Sequence, residues 1–118
     1  YIGQPVRCSI DRALKVIEEV DYEKFVLAHF GGNKLWDEVL EKIAGKNVYL
    51  DTAVTLQEIK KETFLKIVEK HGADKILFAT DCPWSDIKGD FEKLMTFDLD
   101  KQTIDKITHK NALKLLGV

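Results

Sequence analysis

The sequence predicts an α/β fold, a parallel sheet covered by helices, and three observations carry that expectation. Short continuous apolar runs begin near positions 25, 47 and 75. Each is followed by a segment whose apolar residues have one-sided helical spacing, and glycines or short polar turns punctuate the joins. Strands that alternate with helices pair in parallel, because each return crossing is made by the helix rather than by a tight hairpin.

Taken in order, Ser9 is placed to cap a helix over residues 9–20, in which Ile10, Ala13, Leu14, Ile17 and Val20 share one face. Phe25-Val26-Leu27-Ala28 is too short for a helix and reads as a strand buried on both faces, ending at His29. Gly31-Gly32-Asn33 supplies a turn and a cap before Leu35, Trp36, Val39, Leu40, Ile43 and Ala44, with Gly45 as the helix stop. Asn47-Val48-Tyr49-Leu50 repeats the strand signal and runs into Asp51-Thr52. Thr55 and Glu58 have capping-box spacing ahead of Ile59, Phe64, Ile67 and Val68, a helix that Gly72 ends. The third strand, Lys75-Ile76-Leu77-Phe78-Ala79, ends at Thr80-Asp81, and Pro83 keeps the next stretch, Cys82 to Ser85, out of helix. Phe91, Leu94 and Met95 mark one short helix, Ile104 and Ile107 a second, and Ala112, Leu115 and Leu116 a third closed by Gly117.

Composition narrows the function classes. The 118 residues, 45% hydrophobic and 32% charged, suit one soluble folding unit. The 20 acidic and 18 basic residues are interspersed, so no basic face is expected to track a phosphate backbone, and nucleic acid is not an expected partner. Cys8 and Cys82 lie far apart with no CxxC pair, and no leader-like or membrane-spanning apolar run occurs, which points to a reducing cytoplasm and no membrane partner. The chain starts at Tyr1 and its only methionine is Met95, so a piece of a longer reading frame is expected. No GxGxxG follows a strand and no Walker A pattern occurs, which leaves nucleotide binding without a signal.

In a parallel α/β fold the strand C-terminal ends share one face, where ligands bind; here they carry His29, Asp51 and Asp81. A histidine beside a Gly-Gly turn is placed to bind a metal or a metal-bound water, although a structural role competes. Asp81 ends an apolar strand, where one carboxylate oxygen can ligate a divalent cation while the other takes a proton, or where the group can cap the following turn. For Asp51 the neighbouring Thr52 and Thr55 favour a capping role. His71, in the last turn of a helix, and His109 read as surface residues. Cys82 adjoins Asp81 but has no identifiable partner base. Trp36 falls on an apolar stripe and reads as core, whereas Trp84, just after Asp81, is placed to line a substrate pocket.

Four ordered motifs carry a resemblance. Leu27-Ala28-His29-Phe30-Gly31-Gly32-Asn33 with Trp36, Asn47-Val48-Tyr49-Leu50-Asp51-Thr52, Phe78-Ala79-Thr80-Asp81-Cys82-Pro83-Trp84, and Asn111-Ala112 with Leu115-Leu116-Gly117 together resemble the amidohydrolase-related family of metal-dependent hydrolases and decarboxylases. The resemblance implies a (β/α)8 TIM barrel with these motifs on strands six, seven and eight, so that residues 1–118 form its C-terminal βα units. His29 would then contact the metal or activate its water, Asp81 would be metal ligand and proton acceptor, and Asn111 and Leu116 would be structural. The implied cofactor is a divalent metal, zinc or alternatively manganese, and the implied partner is a small-molecule substrate.

The family's His-x-His pair on the first strand and its further histidine on strand five have no counterpart here. A catalytic zinc takes about three protein ligands, and this chain offers two. Three strands also leave apolar edges uncovered, so the missing N-terminal half of the barrel or self-association is an expected partner. Two functions follow as expectations. One is a hydrolase of an amide- or ester-type bond, or a decarboxylase, working through a metal-activated water; the other is a non-catalytic partial barrel serving as a binding or assembly module.

Overall fold

Three short parallel strands, β1 (Val26–Leu27), β2 (Tyr49–Asp51) and β3 (Ile76–Leu77), form a sheet in sequence order in the computed structural model, which describes Gly3, Pro5 and residues 7–118. Tyr1, Ile2, Gln4 and Val6, part of the expected 1–118 domain, lie outside the described residues. Val26 pairs with Tyr49 and Leu27 with Leu50, while Leu50 pairs with Ile76 and Asp51 with Leu77, so the three C-terminal ends emerge together. This is the α/β class expected from the alternating strand and helix signals.

Helix α1 (Ile10–Val20) precedes β1, and Ser9 caps it by accepting the Arg12 N–H at 3.3 Å. Ile10, Ala13 and Ile17 form its buried face. The Gly-Gly turn exists because two neighbours come too close for a side chain. A Cβ on Gly32 would lie 2.5 Å from Ile10 Cδ1, and one on Gly31, which sits at φ +86°, would meet Val39 Cγ1 at 3.1 Å. Helix α2 (Trp36–Lys42) starts after Leu35 with no side-chain cap, and Asn33 is exposed rather than capping.

The expected capping box at Thr55 and Glu58 is corrected by the structure. Helix α3 spans Lys61–His71 and begins beyond it, because residues 53–58 form consecutive turns pinned by the buried Leu56 and Ile59. Thr55 Oγ1 donates to the Ala53 carbonyl at 2.9 Å, and Glu58 reaches across to pair with Lys34 at 2.9 Å. In α4 (Ile87–Met95), Leu94 is buried as expected but Phe91 and Met95 are exposed, since the inward face is the Asp90–Leu94 row.

The two C-terminal helices expected as separate are one continuous helical run: α5 (Lys101–Asp105), a π-turn (Lys106–Lys110) and α6 (Asn111–Leu116). In the π-turn the Asn111 N–H donates to the Lys106 carbonyl, one residue further back than in an α-helix. The Ile107 carbonyl, the ordinary α-helical acceptor for that N–H, instead accepts the Phe78 N–H at 2.8 Å. Asn111 Nδ2 donates to the carbonyls of Ala73 and Ile76, at 2.6 and 2.8 Å. Its structural role is thus visible as a clamp on the outer edge of β3. Leu116, by contrast, is 73% exposed, and no structural role for it is evident in this chain.

At the centre Phe30 stacks on Phe64 and Phe97 packs tilted against Phe64, with ring centroids 5.0 and 4.9 Å apart, beside Val39, Ile43, Leu50, Ile67, Ile76 and Ile107. Each such fully buried side chain stabilises the fold by about 1.5–3 kcal/mol. The expectation that β1 is buried on both faces is corrected: Val26 is 39% exposed, because β1 is an end strand of the sheet.

Candidate active site

His29 follows β1 directly and opens a tight turn, His29–Gly31. Both His29 and Phe30 are left-handed, at φ 57° and 55°, a conformation that costs a non-glycine residue about 1–2 kcal/mol. Core packing holds it there, since the Phe30 side chain is fully buried against Phe64. Every polar group of the His29 main chain is engaged: its N–H donates to Asp51 Oδ1 at 3.0 Å, and its carbonyl accepts from Gly32 N–H at 3.2 Å and Trp36 Nε1 at 3.3 Å. Trp36 is buried as expected, and it also supports the histidine.

The His29 ring is half-buried, with Nδ1 3.3 Å from the Ala53 carbonyl. A carbonyl only accepts, so Nδ1 carries the proton and the Nε2 lone pair remains available.

Asp81 follows the short run Phe78-Ala79-Thr80 beyond β3 and is also left-handed, at φ 58°. Its side chain is exposed, and its carbonyl accepts the Trp84 N–H at 2.9 Å across a turn that includes the cis Cys82–Pro83 peptide. A left-handed non-glycine residue such as Asp81 persists where surrounding structure imposes it, and such residues concentrate at functional sites. Trp84 is 79% exposed beside Asp81, and Cys82 is a free, exposed thiol.

Between these two ends, β2 joins its neighbours through side chains. Thr52 Oγ1 donates to the Ala79 carbonyl at 2.9 Å and accepts the Ala79 N–H at 3.0 Å, which fixes the segment leading to Asp81. Asp51 Oδ1 accepts both the His29 and the Ala53 N–H, the latter at 3.1 Å. His29 and Asp81 both follow the C-terminal ends of their strands, β1 and β3, and so lie at one end of the sheet. Among the described residues no group of three or more His, Cys, Asp or Glu is gathered closely enough to hold a metal ion.

Asp90 escapes a reading of the sequence as site chemistry. It is fully buried, accepting from Gln57 Nε2 at 2.9 Å and Ser85 Oγ at 2.6 Å, and so ties the loop after β3 to the loop after β2. Its spacing four residues before Leu94, on the inward row of α4, is the signal that finds it.

His71 corrects the expectation of a surface cation. Gly45 N–H donates to its Nδ1 at 3.0 Å, so the proton sits on Nε2, which donates to the Val48 carbonyl at 2.9 Å. Burial holds its pKa below the usual histidine range, with the Lys75 charge acting in the same direction. His109 is exposed, as expected.

Residues 19–118 match the family model described as Amidohydrolase. The chain belongs to the amidohydrolase family. No curated protein matches it. Among solved structures, a 2,6-dihydroxybenzoate decarboxylase complexed with 2,6-dihydroxybenzoate superposes with a TM-score of 0.73 at 18% identity, over 92% of this chain and 40% of the other. The 2,6-dihydroxybenzoate decarboxylase from Rhizobium gives 0.68 at 19% identity, again over 92% and 40%. A dihydroxybenzoic acid decarboxylase from Polaromonas sp., with bound manganese and the inhibitor 2-nitroresorcinol, gives 0.68 at 20% identity, over 92% and 39%. This amidohydrolase chain therefore spans about 40% of the length of those structures. Its fold is the C-terminal portion of a (β/α)8 barrel. Among the described residues no helix is long and apolar enough to cross a membrane.

Proposed function

We propose that this chain carries the C-terminal share of a divalent-metal site, with His29 and Asp81 as its donors, in an amidohydrolase that hydrolyses or decarboxylates a small molecule. The supporting observation is the commitment of His29 Nδ1 to the Ala53 carbonyl, which leaves Nε2 as a free donor at the same sheet end as Asp81. An imidazole nitrogen and a carboxylate suit zinc or manganese, and the remaining ligands would come from the rest of a barrel domain or from a second copy. We assign residues 1–118 to that one domain, and the cytoplasm as its location on the two free cysteines.

A bound divalent metal supplies Lewis acidity at the substrate oxygen. The chain's own residues do the rest. The Asp81 carboxylate accepts and later returns a proton. His29 would hold the metal through Nε2, with its ring fixed by the Nδ1 bond to Ala53, and Trp84 offers an apolar wall beside Asp81.

The test is elemental mass spectrometry on the purified protein, with Asp81→Asn and His29→Gln as comparisons. Near-stoichiometric zinc or manganese that is lost in both variants supports the reading; metal retained in both removes these residues from the site. The lack of a third donor among the described residues favours a second reading, a non-catalytic assembly module, for the chain taken alone. A metal-free protein that gains none on titration with zinc or manganese means that this chain holds only a share of the site and leaves catalysis to the rest of the barrel.

A further inference from the structure

Asp51 ends β2, and one of its oxygens does two things. Oδ1 accepts the His29 N–H at 3.0 Å, which holds that residue in its left-handed conformation, and the Ala53 N–H at 3.1 Å, which folds the chain just beyond β2. That second bond aims the Ala53 carbonyl back at the His29 ring, where it accepts from Nδ1 at 3.3 Å while also accepting Thr55 Oγ1 at 2.9 Å. One carboxylate therefore sets both the backbone of His29 and the acceptor that selects its tautomer. A simple turn cap would need only the Ala53 contact; the bond to His29, 22 residues away in the turn after β1, is unnecessary for capping.

We infer that Asp51 is the positioning residue for His29, fixing the imidazole with its proton on Nδ1 and its Nε2 lone pair free. The consequence for chemistry rests on the metal-site reading above, whereas the tautomer does not. Removing the carboxylate leaves two N–H groups without an acceptor and frees the Ala53 carbonyl to turn away, so the ring loses its orienting partner.

The experiment is nitrogen-15 NMR of the histidine rings in the labelled chain at about pH 8, where imidazoles are neutral. His71 is an internal reference, because its bonds to Gly45 and Val48 enforce the opposite tautomer, with the proton on Nε2. In the unaltered chain His29 is expected to be Nδ1-protonated. Asp51→Asn, which keeps an oxygen acceptor, should retain that state; Asp51→Ala should convert His29 to a mixture of tautomers while the His71 signals stay in place. An Nε2-protonated His29 in the unaltered chain overturns the inference, and so does an unchanged His29 in a folded Asp51→Ala variant. If Asp51→Ala loses the His71 signature through unfolding, the unaltered chain and Asp51→Asn still decide. The tautomer pattern together with metal retained in both His29→Gln and Asp81→Asn would sink the metal-site reading alone.

Discussion

His29 and His71 are held as opposite tautomers by main-chain partners, and the difference assigns them different work. His71 gives its one proton to the Val48 carbonyl and takes the Gly45 N–H on its other nitrogen, so no atom remains for a ligand. Protonation would put a second N–H against that of Gly45. Because burial lowers the folded-state pKa below the ordinary 6.5, the unfolded chain binds the proton first. Stability from this residue is present in full above about pH 6.5 and is lost as pH falls through the lowered folded value. Thermal melts should show that slope, and His71→Gln should flatten it; an unaltered slope would place the titration elsewhere. A second prediction concerns Thr52, whose hydroxyl serves both main-chain groups of Ala79. Thr52→Val keeps the shape and removes the bonds, and urea unfolding should report a loss of about 1–3 kcal/mol. Candidate site residues such as His29 and Asp81 are legible because they end apolar runs. The inward role of His71 is not, since local sequence carries no sign of the Gly45 and Val48 groups it meets in space.

At the level of elements, the strand and helix alternation is legible because burial imposes distinct periods on the two, while the junctions are not. Thr55 and Glu58 have the residues of a capping box, yet the buried Leu56 and Ile59 pull the segment into turns and α3 starts at Lys61. The π-turn is invisible for a related reason: its extra residue is stabilised by Phe78, on another element. Gly31-Gly32 reads correctly as a turn, but its necessity comes from α1. A methyl group on Gly32 would collide with Ile10 Cδ1, so Gly32→Ala should cost about 1–3 kcal/mol. Ile10→Val removes that carbon and alone should cost about 0.5–1.5 kcal/mol. The double variant should therefore be more stable than the sum of the two losses implies; strict additivity in chemical denaturation would show that the contact does not set the turn.

For the whole molecule, the decisive asymmetry is between the two edges of the sheet. On β3 the outward Phe78 N–H is taken by Ile107, and the outward Ile76 carbonyl by Asn111, so the C-terminal helical run closes that edge. On β1 the Phe25 carbonyl faces β2 through its bond from Tyr49 N–H, which turns the main-chain groups of Val26 outward at the end of the sheet, beside a side chain 39% exposed. An apolar strand edge in this state pairs with whatever strand is offered. Two outcomes follow for the 118-residue chain. The amide of Phe78 should exchange with deuterium about fivefold or more slowly than that of Val26, the protection expected from one net hydrogen bond. Sedimentation velocity should show concentration-dependent association that Val26→Lys suppresses, because a charge on the open edge opposes strand addition without touching the closed one. Association that survives Val26→Lys would shift attention to the apolar row of Ile87, Phe91 and Met95 on α4, which the same experiment tests with Phe91→Lys. A chain that is monomeric at all concentrations would mean that the β1 edge is guarded by its short length alone, and that self-association cannot be how such a chain would complete a barrel site.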